Sequence, residues 1–400
     1  MPLKGRNVVL GVSGSIAAFK AADLASKLVQ AGAVVDVILT DAAQQFLTPF
    51  TFRSLTGRPV YTNMFQPATD AGEEHVALAR RAELIVVAPA TATTIARIAY
   101  GLADDMLSLT VLATKAPVLL APAMDSQMWE AAATQANVAT LRERGFAFVG
   151  PESGRLASGH TGAGRMSEPD KVLGAAKYEL AKQGDLAGRR LVISAGGTRE
   201  PIDPVRVISN RSSGKMGYAL AEAARDRGAR VTLVSTEPSL PLPYGVELVP
   251  VESVAQMRDA VLTACVDAEA LIMAAAVSDY RPAEAADQKL KKGEGGMMLP
   301  LAKNDSFFPE VPASVVKVAF AAETENLIEN AKRKPETHGP LDLIVANDVS
   351  ASDAGFGVDT NRVVILDAAG GKQELPLLTK YEVAQHVLDR LLPILQERHP

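Results

Sequence analysis

In the stretch NVVLGVSGSIAAFKAADLASKLVQAGAVVDVILT, an apolar run gives way to helical spacing and then to a second apolar run. This pattern predicts a strand, a tight glycine turn, an amphipathic helix ended near Gly32, and a second strand, which together form a β-α-β unit. AELIVVAPAT and APVLLAPAM are short apolar runs that end in proline-containing loops, as central parallel strands buried on both faces do. Near Leu186 the pattern restarts. RRLVISAGGTRE reads as a strand entering a glycine turn, and GYALAEAARDRGARVTLVST as a helix, a glycine stop and the next strand. EALIMAAAVSDY, VVKVAFAAET and DLIVANDV supply later strands, and LTKYEVAQHVLDRLLPILQE a closing helix. The fold class expected is α/β, with two tandem Rossmann-like three-layer domains and mainly parallel sheets. The domains span 1–183 and 184–400 and join in the polar, glycine-containing AKQGDLAGRR.

Composition changes this picture little. The chain has 400 residues, more than one core usually organises. Apolar residues at 48% and charged residues at 22% fit an ordinary globular protein. A net charge of -5 gives no electrostatic reason to expect nucleic acid. The chain has no apolar run of membrane-spanning length, and its start lacks a signal peptide's long apolar region, so a cytoplasmic protein without membrane association is expected. The single cysteine, Cys265, lies in an apolar stretch and reads as a buried, unreactive thiol.

The chemistry gathers at strand ends. GVSGSIAA joins a strand to a helix N-terminus, where free N–H groups and the helix dipole favour an anion. It is not the G-x-G-x-x-G of a dinucleotide site. Thr40 and Asp41, Pro89 to Thr94, and Pro122 to Asp125 close other strands with hydroxyls and amides beside apolar walls. Such a setting suits flavin mononucleotide better than a dinucleotide. His75 opens a helix pattern and by itself reads as a surface or capping residue. The glycine-rich GRLASGHTGAGRM, residues 154–166, carries Ser158, His160, Thr161 and Arg165 and reads either as a hinge or as a loop that closes over a small anion. In the second half, SAGGT is another anion cradle. SNRSSGKMG sets Asn210, Arg211, Ser212, Ser213 and Lys215 before a helix, without Walker A spacing.

These residues also carry a resemblance. LGVSGSIAA, HVALARRAELIVVAPATATTIARIAYGLADDMLS, APAMDSQMW and GRLASGHTGAGRM resemble the flavin-dependent phosphopantothenoylcysteine decarboxylases. SAGGTREPIDPVRVISNRSSGKMG, AAAVSDYRP, FAAET and IVANDVS resemble the phosphopantothenate-cysteine ligases. The order and span match the fused bacterial enzyme of coenzyme A biosynthesis.

For the first half, the resemblance implies a flavodoxin-like FMN domain. Ser13, Gly14, Ser15, Ile16 and Thr40 hold the flavin, and Ser108 and Thr110 line its pocket. His75 acts in the oxidative step, Met124 and Asp125 contact the substrate carboxylate, and 154–166 forms a lid contributing Ser158, Arg165 and Met166. Oxidation of the thiol-bearing carbon gives a thioaldehyde, loss of carbon dioxide an enethiol, and reduction the thiol product. Two positions depart from the family pattern: Asp125 stands where Asn is usual and Ser158 where Cys is usual. An ionised Asp only accepts hydrogen bonds, so Asp125 must be protonated, point away or bind through another donor. One reading makes Asp125 the proton donor in place of the cysteine.

For the second half, the resemblance implies CTP, Mg2+ and an acyl-cytidylate attacked by cysteine. Asn210 stabilises that intermediate. Met273, Ala274, Ala275, Asp279, Phe320 and Lys334 contact nucleotide, Lys289 reaches over the phosphates, and Arg206 binds substrate. His338 and the run after Lys303 depart from the family pattern, and no metal ligands are assigned. The substrates implied are 4'-phosphopantothenate, L-cysteine and CTP. The assembly implied is a homo-oligomer, a dodecamer of flavin-domain trimers and ligase-domain dimers. Two alternatives stand beside this reading: a ligase whose flavin domain has lost decarboxylation, and a dinucleotide-dependent oxidoreductase.

Overall fold

A computed structural model describes residues 2–65, 73–292, 296–323, 325, 327–348, 353, 355 and 357–399. The chain divides into two compact units, Met1–Ala181 and Lys182–Pro400.

The first unit contains strands β1 (Asn7–Val12), β2 (Val34–Leu39), β3 (Val60–Tyr61), β4 (Leu84–Ala90), β5 (Val118–Pro122) and β6 (Ala147–Phe148), all parallel, in the order β3-β2-β1-β4-β5-β6. This is the doubly wound order in which the winding reverses between β1 and β4. Flavodoxin's own order differs, but the same rule puts ligands at the reversal, beyond the carboxyl ends of the strands. Helix α1 (Ala18–Gln30) buries Ala18, Ala21, Leu24, Ala25 and Leu28, the i, i+3, i+4 stripe of an amphipathic helix. It stops before Gly32, whose φ of 88° favours glycine. It packs beside α2 (Pro49–Thr56) and α8 (Pro169–Ala181). Against the other face, α3 (Glu74–Arg81), α4 (Ala92–Tyr100), α5 (Met106–Ala113) and α7 (Ala132–Glu143) pack on Val9, Ile85, Val87 and Leu120. Short α6 (Ser126–Glu130) follows β5. Strands β7 (Glu152–Arg155) and β8 (Thr161–Arg165) form a separate antiparallel hairpin.

The second unit is built on an eight-stranded sheet. In spatial order its strands are Glu247–Pro250, Arg230–Ser235, Arg190–Ala195, Ala270–Met273, Val316–Glu323, Leu343–Asp348, Val363–Asp367 and Lys372–Glu374. The first six are parallel, and Val363–Asp367 pairs antiparallel with its neighbour on either side. Period-two alternation sorts the side chains of the strand Arg190–Ala195. Leu191, Ile193 and Ala195 face the helices Lys215–Arg225 and Lys380–Arg398, while Val192 faces the helix Val254–Cys265. Cys265 is buried there with its thiol pushed up to about 12 by desolvation, as the sequence suggested. The winding reverses between Arg190–Ala195 and Ala270–Met273, and a cavity opens beyond these strand ends.

Candidate active sites

At the end of β1, Ser13 is buried and its hydroxyl makes two bonds. Oγ donates to Pro89 O (2.7 Å) and accepts from Thr91 N (3.0 Å), tying β1 to β4. Gly14 lies so close to the segment after β2 that a Cβ would come within 2.4 Å of the Ala42 Cβ, which explains the glycine. Ser15 Oγ accepts from Ala17 N, and Ala17, the N-cap of α1, offers no capping side chain. The helix N-terminus therefore stays open beside exposed Ile16, at the winding reversal. A phosphate with an apolar ring system fits this cradle. Thr40 is nearly buried, and its Oγ1 accepts from Ala43 N.

Ser108 forms a reciprocal cap with Asp105, and Thr110 Oγ1 donates to Met106 O (2.7 Å). Both side chains are buried in α5 with their hydroxyls bound locally. His75 is half-buried in the first turn of α3, which packs on α5.

The glycine-rich segment 154–166 is a docked hairpin. Met124 N donates to Gly164 O (3.0 Å), and a Cβ on Gly164 would fall 2.2 Å from Met124 O. A Cβ on Gly162 would fall 2.7 Å from the Ser126 side chain. These glycines permit close approach. At the tip, Ser158 Oγ donates to Asp125 Oδ2 (2.7 Å), and Asp125 Oδ1 accepts from Gln127 N (3.0 Å), capping α6. The Ser158 hydroxyl, the Gln127 amide and nearby His160 hold the Asp125 carboxyl below its usual range. A carboxyl held in this way is an acceptor, which counts against Asp125 as the replacement proton donor. Met166 is only 1% exposed and packs inward, so its side chain is not available to substrate. Its carbonyl takes Lys20 Nζ (3.0 Å). Arg165 is half exposed and pairs with Glu168.

In the second unit, a cavity of about 850 Å3 gathers Asn210, Met273, Ala274, Ala275, Asp279, Phe320 and Lys334. Asn210 Nδ2 donates to Ala276 O (3.1 Å), and Lys334 Nζ donates to Phe320 O (3.0 Å). His338 packs against Phe308, with ring centroids 5.0 Å apart and the planes tilted by 39°. Burial and the Lys334 charge lower its pKa, opposed by Asp279. Arg206 and Lys289 do not line the cavity. Arg206 is held by Asp203 and by Leu290 O, and Lys289 is exposed. Sequence reasoning missed Asn304, Asn347, Asn361 and Lys380, all of which line the cavity. Lys380 is buried, donates to the carbonyls of Gly355, Val358 and Thr360, and is pushed down to about 8, chiefly by desolvation. Asn347 Oδ1 is buried without a hydrogen-bond partner. Among the described residues, no group of three His, Cys, Asp or Glu side chains is placed to hold a metal, and no helix is long and apolar enough to cross a membrane.

Residues 2–179 match the Flavoprotein family model, and residues 186–394 match the DNA/pantothenate metabolism flavoprotein C-terminal domain. The coenzyme A biosynthesis bifunctional protein CoaBC of Bacillus subtilis is 46% identical over 395 residues, covering 97% of both chains. The protein of that name from Escherichia coli K12 is 43% identical over 410 residues, covering all of both chains. A crystal structure of the C-terminal domain of such a protein is 37% identical and covers 54% of this chain and all of its own, with a TM-score of 0.46. The two domain matches and the end-to-end identity agree, and the chain belongs to the family of coenzyme A biosynthesis bifunctional proteins CoaBC.

Proposed function

We propose that the chain makes 4'-phosphopantetheine in two steps. The second unit joins 4'-phosphopantothenate to L-cysteine at the expense of CTP, and the first decarboxylates the product. The observation that carries the ligase half is the single cavity that gathers Asn210, Asp279, Phe320 and Lys334 at a winding reversal. Carboxylate is a poor electrophile at neutral pH, so activation as an acyl-cytidylate precedes attack by the amine. Asn210, its amide plane fixed by the bond to Ala276 O, stands at the wall to receive that intermediate. The backbone at Met273–Ala275 and the Phe320 side chain flank the nucleotide. Magnesium belongs to this reading as the partner of the nucleotide's phosphates.

In the first unit, the open α1 N-terminus and the Gly14 cradle suit the phosphate of FMN. That cofactor supplies oxidation of the thiol-bearing carbon, which makes loss of the carboxylate feasible. The protein's own part is to orient and exclude water. The hairpin covers Asp125, and Ser158 holds the proton nearest that carboxylate; His75, in the first turn of α3, belongs to this reading as the acid/base group of the oxidative step. This reading includes a cytoplasmic homo-oligomer.

Supplying phosphopantothenate, cysteine, CTP and magnesium tests both halves, with pyrophosphate and carbon dioxide as products. Pyrophosphate alone would leave a ligase with a non-decarboxylating flavin domain. Neither product would refute the whole reading.

A further inference from the structure

We propose that Asn304 is a positioning residue for the ligase reaction, setting the Ser278–Asp279 peptide so that the Asp279 carboxylate stands at the nucleotide end of the cavity. The inference rests on the ligase reading above.

Asn304 bonds this segment three times. Its Nδ2 donates to Ser278 O (2.9 Å), its backbone N donates to Asp279 O (2.8 Å), and its Oδ1 accepts from Arg281 NH1 (2.7 Å). The strand of the hairpin that carries it, Leu301–Lys303, pairs antiparallel with Tyr280–Pro282, so the contact is held in register. From the opposite side, Thr198 Oγ1 accepts from Ser278 N (2.9 Å) and lies 3.1 Å from Ser278 Oγ. Ser194 Oγ accepts from Ala275 N (3.0 Å), and Ala276 O accepts from Thr198 N and Asn210 Nδ2. The peptide groups from Ala275 to Asp279 are thus gripped between the strand end at Ser194 and Asn304.

Asp279 lines the cavity and acts on His338 electrostatically across it. A carboxylate only accepts hydrogen bonds. Set by this grip, it selects a ligand with N–H or O–H donors, such as a nucleoside's hydroxyls or exocyclic amine. Without the Asn304 amide, Ser278 O loses its donor, and the Ser278–Asp279 peptide can tilt between the bonds that Ser278 N and Asp279 O keep.

The test is steady-state pyrophosphate release by the full chain carrying Asn304→Ala, Asn304→Asp, Asp279→Ala, or Asn304→Ala with Asp279→Ala. Asn304→Asp keeps the acceptor for Arg281 and replaces the donor by a charged oxygen that repels Ser278 O, so it serves if Asn304→Ala fails to fold. The expected result is a KM for CTP raised about ten-fold, the scale of one lost hydrogen bond, with the KM for cysteine unchanged and no further loss on the Asp279→Ala background. An unchanged KM for CTP, an equal change for every substrate, or additive losses in the double variant would overturn it. If the unaltered chain releases no pyrophosphate, the ligase reading falls instead. Calorimetric titration with CTP then applies the same comparison to binding.

Discussion

Ser158 and Asp125 lie 2.7 Å apart, the hydroxyl donating to the carboxylate, and both stand where the family pattern has other residues. The two departures therefore form one contact. A usual Asn would offer either an acceptor or a donor at position 125, whereas an ionised Asp requires a donor from its neighbour, and Ser158 is that donor. This replaces the idea that Asp125 inherited the role of acid. Ser158→Ala should lower decarboxylation about 100-fold or more, the range for a lost proton-transfer group, and leave CTP-dependent pyrophosphate release unchanged. Ser158→Cys, with a more acidic proton, should raise decarboxylation above the level of Ser158→Ala. Carbon dioxide release from isolated phosphopantothenoylcysteine measures both.

The same contact predicts acid sensitivity. Because the Asp125 carboxyl is held below its ordinary range, the ionised form stabilises the folded hairpin. That contribution is present above the unfolded value, about 3.9, and is lost as pH falls through the lower folded value. Glu152 and Glu168 are held low in the same way by Lys171 and Ser167 and by Lys20 and Arg165, so hydrogen exchange of the hairpin amides should show acid-induced loosening in both chains, and more of it in the natural chain than in Asp125→Asn.

Glycine at 164 should be indispensable. A methyl there would sit 2.2 Å from Met124 O, so Gly164→Ala must lift β8 from the strand end at Met124. The expected result is a loss of about 1–3 kcal/mol in the stability of the first unit, as for overpacking elsewhere. Decarboxylation should fall while ligation persists. Chemical denaturation followed by flavin fluorescence reports the first effect.

Lys380 gives a second pH prediction, of the same sign but in an alkaline window. Its folded pKa is lowered to about 8, against about 10.4 in an unfolded chain. Between these values the unfolded chain binds more protons, so this group makes stability rise with pH across that window. Lys380→Met should remove that rise and, by leaving three carbonyls without their donor, destabilise the second unit by about 1–3 kcal/mol at pH 7. Urea melts from pH 7 to 10 distinguish the two effects.

The architecture was legible because its strands are continuous apolar runs and its helices carry periodic stripes ended by glycine, as at Gly32. The hairpin at 154–166 was harder to read. Its strands contain glycine where alternation would show apolar residues, since Gly162 and Gly164 serve close approach to Ser126 and Met124. The local bonds of Ser108 and Thr110 were hidden for a different reason. A hydroxyl bonded to its own helix looks the same in sequence as one aimed at a ligand. Lys380 and Asn304 were missed because their partners, at Gly355–Thr360 and Ser278–Asp279, come from segments about 20 to 26 residues away that no local pattern links to them.

The central claim is that a chain with Asp125 and Ser158 still decarboxylates. Purified protein given phosphopantothenoylcysteine alone, with no CTP or cysteine, tests it directly. Release of one carbon dioxide per 4'-phosphopantetheine formed is the predicted result. Flavin-loaded protein that releases none while still making pyrophosphate from CTP, phosphopantothenate and cysteine would contradict it.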